Sequence, residues 1–183
     1  MLSREHKQQL LTVARNSIQY GLEKNDRLKI AVDDFPEPLR EMLATFVTLK
    51  IDGQLRGCIG TTQAISPLVV SVCDNAYSSA FHDPRFKPLS REEFGKIHID
   101  ISILTPSKSI SFNSEKELLA QLRPDIDGLT IEKARQRATF LPSVWESLPK
   151  PEDFLQQLKM KARIPLDQCP DRAWVYQSLS LEE

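Results

Sequence analysis

The feature that most limits how this chain can fold is the Asp52-Gly53 pair and the two runs beside it. Residues 45–51 alternate between apolar and polar side chains, which is the pattern of a strand with one buried face. Asp-Gly favours a two-residue hairpin turn, because both central residues of a type I′ turn need positive φ. The sequence therefore predicts a β-hairpin whose return strand is residues 54–59.

The return strand carries the sequence Leu-Arg-Gly-Cys-Ile-Gly at 55–60. Arg56 and Cys58 are two positions apart and therefore share one face of a strand. Gly57 and Gly60 have no Cβ, so the backbone there can bend or come close to a ligand. A guanidinium beside a thiol favours the thiolate, which is the nucleophilic form. The pattern therefore allows a nucleophile with an electrostatic partner.

Cys58 also has a structural interpretation. A two-residue turn places Cys58 opposite Val47 and Arg56 opposite Leu49, so Cys58 shares the more apolar face. Cysteine is among the most buried residue types and often packs as a small apolar side chain. The sequence leaves both interpretations open.

A helix is predicted to follow the hairpin. Ser66 is the expected N-cap and Pro67 the first helical residue, and Cys73 falls in the apolar stripe that should face the core. The helix begins a few residues after Cys58. A connecting loop that folds back would bring the positive end of the helix dipole to the return strand that carries Cys58.

Asp83 and Arg85 come directly after this helix in the sequence Asp-Pro-Arg-Phe. They can pair with each other in a surface loop, where such pairs are weak. Alternatively, Asp83 orients Arg85 as a second anion anchor beside Arg56. Two arginines near a thiol suit a ligand with a phosphate or carboxylate group.

Further patterns predict a helix from Ser3 to about Lys24, a strand at 97–103, a hairpin from 129–131 and 138–141, a helix at about 152–162 and a last strand at 173–179. Lys159 and Lys161 fall at the C-terminal end of the helix at 152–162. Cations there complement the helix dipole, which is their default explanation.

Composition narrows the function classes. The 183 residues hold 24 Lys and Arg against 25 Asp and Glu, a net charge of −1, so strong binding to duplex nucleic acid or to an anionic membrane is not expected. Three cysteines without a close pair form neither a disulfide framework nor a zinc-site spacing, and a reducing cytoplasm is the expected compartment. Phosphate-binding glycine loops, dinucleotide fingerprints and hydrolase elbows are missing from the sequence, so neither a cofactor nor a metal is predicted.

The signature at 55–60 resembles that of the AMMECR-one domain family. Further motifs occur in the order of that family along nearly the whole chain, namely Asn75-Ala76, Asp83-Pro84-Arg85-Phe86, Pro88-Leu89, Leu104-Thr105-Pro106, Asp127-Gly128-Leu129, residues 138–142, Val144-Trp145 and residues 158–161. The resemblance implies a single domain at residues 1–183 with an α+β fold. Its mostly antiparallel, barrel-like sheet would be flanked by helices, with a division into two interleaved subdomains left open.

Two functional hypotheses follow. The first is an enzyme or enzyme subunit that acts on an anionic small molecule, nucleotide or RNA, with Cys58 as nucleophile or covalent acceptor and Arg56 as its partner. The expected site residues are Arg56, Gly57, Cys58, Gly60, Asp83, Arg85, Thr139 and Lys161. The second is a non-catalytic module that binds a ligand or a protein segment, in which Cys58 packs. Family association further implies Memo-like and radical-SAM proteins as partners.

Overall fold

The structure is a computed structural model that describes residues 2–183. It confirms the α+β class, with helices and two four-stranded sheets. The α-helices are α1 (Arg4–Lys24), α2 (Glu37–Arg40), α3 (Leu68–Phe81), α4 (Arg91–Phe94), α5 (Glu115–Gln121) and α6 (Pro151–Ala162). The strands are β1 (Ala44–Ile51), β2 (Gln54–Gly60), β3 (His98–Leu104), β4 (Lys108–Ile110), β5 (Gly128–Lys133), β6 (Gln136–Phe140), β7 (Arg172–Tyr176) and β8 (Ser178–Glu182). Within residues 2–183, none of the helices has the length and apolar content needed to cross a bilayer.

The chain divides into two compact units. Of the described residues, the first unit contains 2–103 and 179–183, and the second contains 104–178. The second unit is therefore an insertion between β3 and β8, which agrees with interleaved subdomains. Neither sheet closes into a barrel within the described residues, because the strand orders β2-β1-β3-β8 and β4-β7-β5-β6 each end in two edge strands.

The β1–β2 hairpin forms as predicted, but its register is different. Asp52 and Gly53 have φ of 50° and 75°, as a type I′ turn requires. Lys50 pairs with Leu55 and Leu49 with Gly57, so Arg56 has no counterpart and forms a β-bulge. A bulge adds one residue to one strand and shifts every later pair by one.

The consequence for Cys58 is a polar neighbour. Cys58 lies opposite Thr48 and not opposite Val47, which pairs with Ile59. The predicted register, with Cys58 on the more apolar face, is therefore wrong. Gly57 takes the position opposite the fully buried Leu49 instead.

Helix α3 forms the centre of the first unit, packing against both α1 and the hairpin. The core contains apolar residues of these elements and of β3, namely Leu10, Ala14, Ile18, Val47, Leu49, Val69, Val72, Cys73, Ala76, Ile99 and Ile101. Cys73 is 1% exposed, which confirms its predicted place in the core. Helix α3 begins one residue later than predicted, since Pro67 is the N-cap and does not form the first turn.

The second unit has its own core, in which Trp145 stacks on Phe154 with ring centroids 3.7 Å apart. The predicted hairpin there is confirmed as β5 and β6. The predicted single last strand is wrong, because Gln177 separates two strands, β7 and β8. Strand β7 pairs with β4 and β5, whereas β8 pairs with β3 in the other sheet.

Lys159 departs from its default explanation as a cation that only complements the dipole of α6. Its side chain is 2% exposed, forms an ion pair with Glu115 and donates to the Leu166 carbonyl oxygen at 2.6 Å. Burial of a lysine requires such partners, because an unpaired buried charge is strongly destabilising.

Candidate functional site

Gly57 allows β2 to lie directly against α3. A Cβ placed on Gly57 would be 3.0 Å from the carbonyl carbon of Ser79 and closer still to its oxygen. At Gly60, a Cβ would overlap the Thr45 carbonyl oxygen and the Phe46 ring. Both glycines are thus required by protein neighbours. Their predicted contact with a ligand stays a prediction.

A polar stripe on α3 binds the hairpin backbone. The buried hydroxyl of Ser79 accepts from Ile59 N at 2.9 Å and donates to Val47 O at 2.7 Å. One turn earlier, Asn75 donates to the carbonyl oxygen and hydroxyl of Thr45 at 3.1 and 2.9 Å. Positions four apart share a helix face, so this spacing aligns the stripe with the edge of the sheet.

The stripe continues to Asp83, one turn after Ser79, where α3 has ended. Asp83 is followed by a proline, which disfavours helical backbone at Asp83. Phe86 N donates to Asp83 O at 3.1 Å, and Arg85 N donates to the Asp83 carboxylate at 3.1 Å. This is a turn with proline at its second position and an aspartate that bonds its own backbone two residues later, as such turns favour.

Asp83 and Arg85 bind the backbone of Cys58, Asp83 through the Cys58 N–H group and Arg85 through the Cys58 carbonyl oxygen. The Asp83 carboxylate accepts from Cys58 N at 2.9 Å and from Arg85 Nε and Nη2 at 2.9 and 2.7 Å. Arg85 Nη2 also donates to Cys58 O at 3.3 Å. The Asp83 side chain is 2% exposed and that of Arg85 is 54% exposed. The buried carboxylate therefore fixes a guanidinium that still faces solvent.

Electrostatics support this arrangement. The Arg85 guanidinium, together with the N–H groups of Cys58 and Arg85, holds the pKa of the Asp83 carboxyl far below its usual range. Asp83 in turn raises the pKa of Arg85. The Cys58 thiol is half-buried, and its sulfur accepts a hydrogen bond from the Thr48 hydroxyl at 3.2 Å.

Arg56, the bulged residue, is bound by a carboxylate that the sequence did not reveal. Its Nε and Nη2 donate to Glu93 at 2.7 and 3.0 Å, and Nη2 also donates to Lys87 O at 2.9 Å. Hydrogen bonds from Arg56 lower the pKa of Glu93 to about 2. The Arg56 side chain is only 13% exposed, and its Nη1 is buried without a hydrogen-bond partner among the described residues.

The Phe86 ring brings the two arginines together. The guanidinium carbon of Arg56 lies 5.6 Å from the ring centroid and that of Arg85 lies 5.5 Å from it. The structure therefore places Arg56, Cys58, Asp83 and Arg85 in one cluster. The helix end beside this cluster is the C-terminal end of α3, so the connecting loop does not fold back to bring the positive N-terminal end to Cys58. The N-terminal Leu68 N instead donates to Glu41 O at 2.8 Å.

Thr139 and Lys161 belong to the second unit, where they contact each other. Lys161 Nζ donates to Thr139 O at 3.0 Å and lies 5.1 Å from the Phe140 ring centroid. The Thr139 hydroxyl bonds the hydroxyls of Thr130 at 3.0 Å and Tyr176 at 2.7 Å. Burial raises the pKa of Tyr176 to about 12. A ligand-binding role for Thr139 and Lys161 stays a prediction.

One group in the first unit has the composition of a metal site. Ligand atoms of His98, Asp100 and Glu182 lie within 4.8 Å of one another. However, Lys50 Nζ lies 2.5 Å from an Asp100 carboxylate oxygen. An ammonium already neutralises that carboxylate, so the group has an explanation without a metal.

Sequence reasoning missed Thr48, Ser79 and Glu93. Glu93 had a local signal as a helix cap, since Ser90 and Glu93 form a capping box in which each side chain binds the backbone of the other, but that signal does not indicate its pairing with Arg56. The contact of Thr48 with the Cys58 sulfur depends on the bulge, and the contact of Ser79 with β2 depends on how α3 packs. Neither effect is visible as a local pattern.

Comparisons with known proteins agree with the resemblance of the motifs. The AMMECR1 family model matches residues 11–181. A protein of Methanothermobacter thermautotrophicus is 35% identical over 171 residues, covering 91% of this chain and 86% of its own. Protein MK0488 of Methanopyrus kandleri is 32% identical, covering 100% of this chain and 90% of its own.

A solved structure is similar along the whole chain. The uncharacterized protein PH0010 of Pyrococcus horikoshii is 30% identical, with a TM-score of 0.90, and the match covers 100% of this chain and 93% of that one. The family model includes the signature strand, the Asp83 turn and nearly all of the second unit. By sequence and by fold, the chain belongs to the AMMECR1 family.

Proposed function

We propose that the cluster around Phe86 binds a small anionic molecule and that the Cys58 thiol reacts with it as a nucleophile. The observation that carries the proposal is the pair of guanidiniums, each held by a carboxylate and both against one ring beside Cys58. Bidentate carboxylates fix the orientation of arginine side chains. Binding to a fixed group loses less conformational entropy than binding to a free one.

Each arginine would contribute to binding such a ligand in a different way. Arg56 Nη1 has no partner among the described residues, and a buried donor without a partner is destabilising by about 1–3 kcal/mol. An anion that accepts from Nη1 would remove that penalty. Arg85 is the exposed member of the pair and would attract the ligand from solvent. Its guanidinium also stays charged over the whole working pH range.

The register also supports a chemical role for the thiol. Cys58 lies opposite Thr48, and the Thr48 hydroxyl donates to the sulfur. Such a donor stabilises a thiolate more than a thiol. The other two cysteines lack this arrangement, and burial raises the pKa of both the Cys73 and the Cys169 thiol.

The test compares two alkylating reagents on the full chain. Iodoacetate and iodoacetamide undergo the same displacement of iodide by a thiolate, but only iodoacetate is an anion. Mass spectrometry gives the rate of each reaction at each cysteine. Because both reagents react with the same thiolate, the fraction of thiolate cancels in the ratio of the iodoacetate rate to the iodoacetamide rate. We expect this ratio to be about fivefold higher at Cys58 than at Cys169, which corresponds to about 1 kcal/mol of charge interaction.

Variants assign the effect to the arginine. Arg85→Gln should bring the Cys58 ratio down to that of Cys169, while Lys87→Gln, a nearby exposed cation outside the carboxylate pairs, should leave it unchanged. Thermal unfolding of each variant checks that the fold is intact. Equal ratios at Cys58 and Cys169 in the natural protein, or a ratio insensitive to Arg85, would refute the anion site.

A binding module without chemistry is the second candidate, favoured by the half-burial of Cys58. It predicts that Cys58 is alkylated no faster than Cys169 by iodoacetamide, even if iodoacetate is preferred. In that case the arginines would still bind the anion and Cys58→Ser would retain the binding. Slow alkylation of Cys58 would therefore remove the nucleophile and keep the anchors.

The expected association with Memo-like and radical-SAM proteins is part of this proposal. A reactive thiol beside an anion anchor would suit a shared pathway on an anionic small molecule, nucleotide or RNA. Co-purification with those proteins from a cell that encodes all three is the measurement. Separate elution of the three proteins at micromolar concentration would contradict a stable assembly.

A further inference from the structure

The second unit contains a cavity that the signature strand does not contribute to. Its volume is about 260 Å³, and its walls include Lys108, Arg123, Asp127, Val175, Tyr176 and Gln177. All of these residues lie within 104–178. Ligand binding in this cavity is therefore independent of the function proposed for Cys58.

A buried carboxylate shapes one wall. The Asp127 side chain is 2% exposed and accepts from Arg123 Nε at 3.0 Å, from Arg123 Nη2 at 2.6 Å and from Arg123 N at 3.0 Å. Asp127 is itself fixed, because its carbonyl oxygen accepts from Trp145 Nε1 at 2.7 Å. The Arg123 side chain is 58% exposed. The buried Asp127 carboxylate therefore holds an accessible guanidinium at the cavity.

Two further donors at the cavity have no protein acceptor. The Lys108 ammonium and the Gln177 side-chain amide make no hydrogen bond or ion pair with any residue between 2 and 183. The backbone at Gln177 is fixed, since Gln177 N donates to Thr105 Oγ1 and Thr105 N donates to Gln177 O, both at 2.8 Å. A ligand would thus meet donors on a backbone that is already ordered.

The apolar part of the wall comes from β7. Val175 is half-buried and Tyr176 is 2% exposed. The Tyr176 hydroxyl is already bonded to Thr139 and to Phe140 O at 2.7 and 3.0 Å, so this hydroxyl is not available to a ligand. An apolar wall with a few convergent polar groups is the usual composition of a small-molecule site.

From these contacts we infer that the cavity binds a small carboxylate with an apolar body. Lys108 and Arg123 carry two positive charges and Asp127 carries one negative charge, which leaves one net positive charge for the ligand to balance. A monoanion fits this count, whereas a phosphate dianion would exceed it. The volume lies below the roughly 300–1,000 Å³ of sites for drug-sized ligands, so the ligand is smaller than those.

The test uses benzoate, benzamide and acetate as probes of the full-length, isotope-labelled protein. Benzamide has the shape of benzoate without the charge, and acetate has the charge without the ring. Chemical shifts of the Lys108, Asp127 and Gln177 amides report on the cavity. We expect saturable shifts with benzoate at a Kd on the order of 1 mM, and binding at least fivefold weaker for each of the other probes.

Matched lysine variants complete the test. Lys108→Gln removes an unpartnered surface cation and should weaken benzoate binding about three- to tenfold without disturbing the fold. Lys116→Gln removes an exposed cation of α5 outside the cavity and should leave the Kd unchanged. Equal binding of benzoate and benzamide, no effect of Lys108→Gln, or no saturable shift at about ten times the expected Kd would each overturn the inference.

Discussion

Gly57 provides the sharpest test of how the signature strand is built. The residue lies inside β2, where a β-branched side chain normally has the higher strand propensity. In this fold, however, its Cα faces the Ser79 peptide of α3. We therefore expect Gly57→Ala to destabilise the protein and Gly57→Val to destabilise it further, against the trend of propensity.

The magnitude follows from what must move. A new Cβ would lie 3.0 Å from the Ser79 carbonyl carbon and nearer to the oxygen, and a helix backbone cannot rotate away as a side chain can. Overpacking of this kind destabilises by about 1–3 kcal/mol. Displacing α3 would also weaken the two Ser79 hydroxyl bonds to Ile59 N and Val47 O, each contributing about 0.5–1.5 kcal/mol. For Gly57→Ala we expect about 2–4 kcal/mol.

The assay is chemical denaturation with a thermal scan beside it. In a chain of this size, 2–4 kcal/mol corresponds to a Tm lower by about 4–16 °C. Gly95→Ala is the matched control, because a Cβ at Gly95 meets nothing within 4 Å and its φ is −71°. That variant should be neutral or slightly stabilising. An unchanged or raised Tm for Gly57→Ala would refute the reasoning that β2 is built for close approach to α3.

Three further predictions concern other parts of the chain. Ser79→Ala leaves two backbone groups of the hairpin without their hydroxyl partner and should lower the free energy of unfolding by about 1–3 kcal/mol. The control Ser78→Ala should change the free energy of unfolding by less than about 0.5 kcal/mol. Similar losses for the two variants would contradict this prediction. The pKa of Glu93 is lowered to about 2, below about 4.3 in the unfolded chain, so its contribution to stability is present above about pH 5 and disappears as the pH falls toward 2. Urea unfolding between these values should show a shallower pH dependence for Glu93→Gln, and an identical slope would be the contrary result. Duplex DNA should bind weakly and without sequence preference at physiological salt, and submicromolar affinity in a fluorescence titration would contradict it.

Local sequence patterns determined the elements of the fold. The α1 prediction from Ser3 to Lys24 is confirmed, with Ser3 as the capping residue, because cap and stripe signals lie within a few residues of each other. The hairpin at Asp52-Gly53 and the strand His98–Leu104 are confirmed for the same reason. Side-chain period and turn chemistry are properties of adjacent residues, so they can be read before the chain is folded.

The tertiary structure decided the site. The bulge at Arg56 placed Cys58 opposite Thr48. Gly57 allows the strand to bend, but the glycine alone does not determine whether or where the pairing shifts by one residue. Arg56 pairs with Glu93, which is 37 positions away in the sequence, and Lys159 pairs with Glu115, which is 44 positions away. Opposite charges that meet only after folding leave no periodic pattern, because any acidic residue of the chain could serve until packing selects one. The sequence thus determined which strand carries the thiol, and packing against α3 decided what surrounds it.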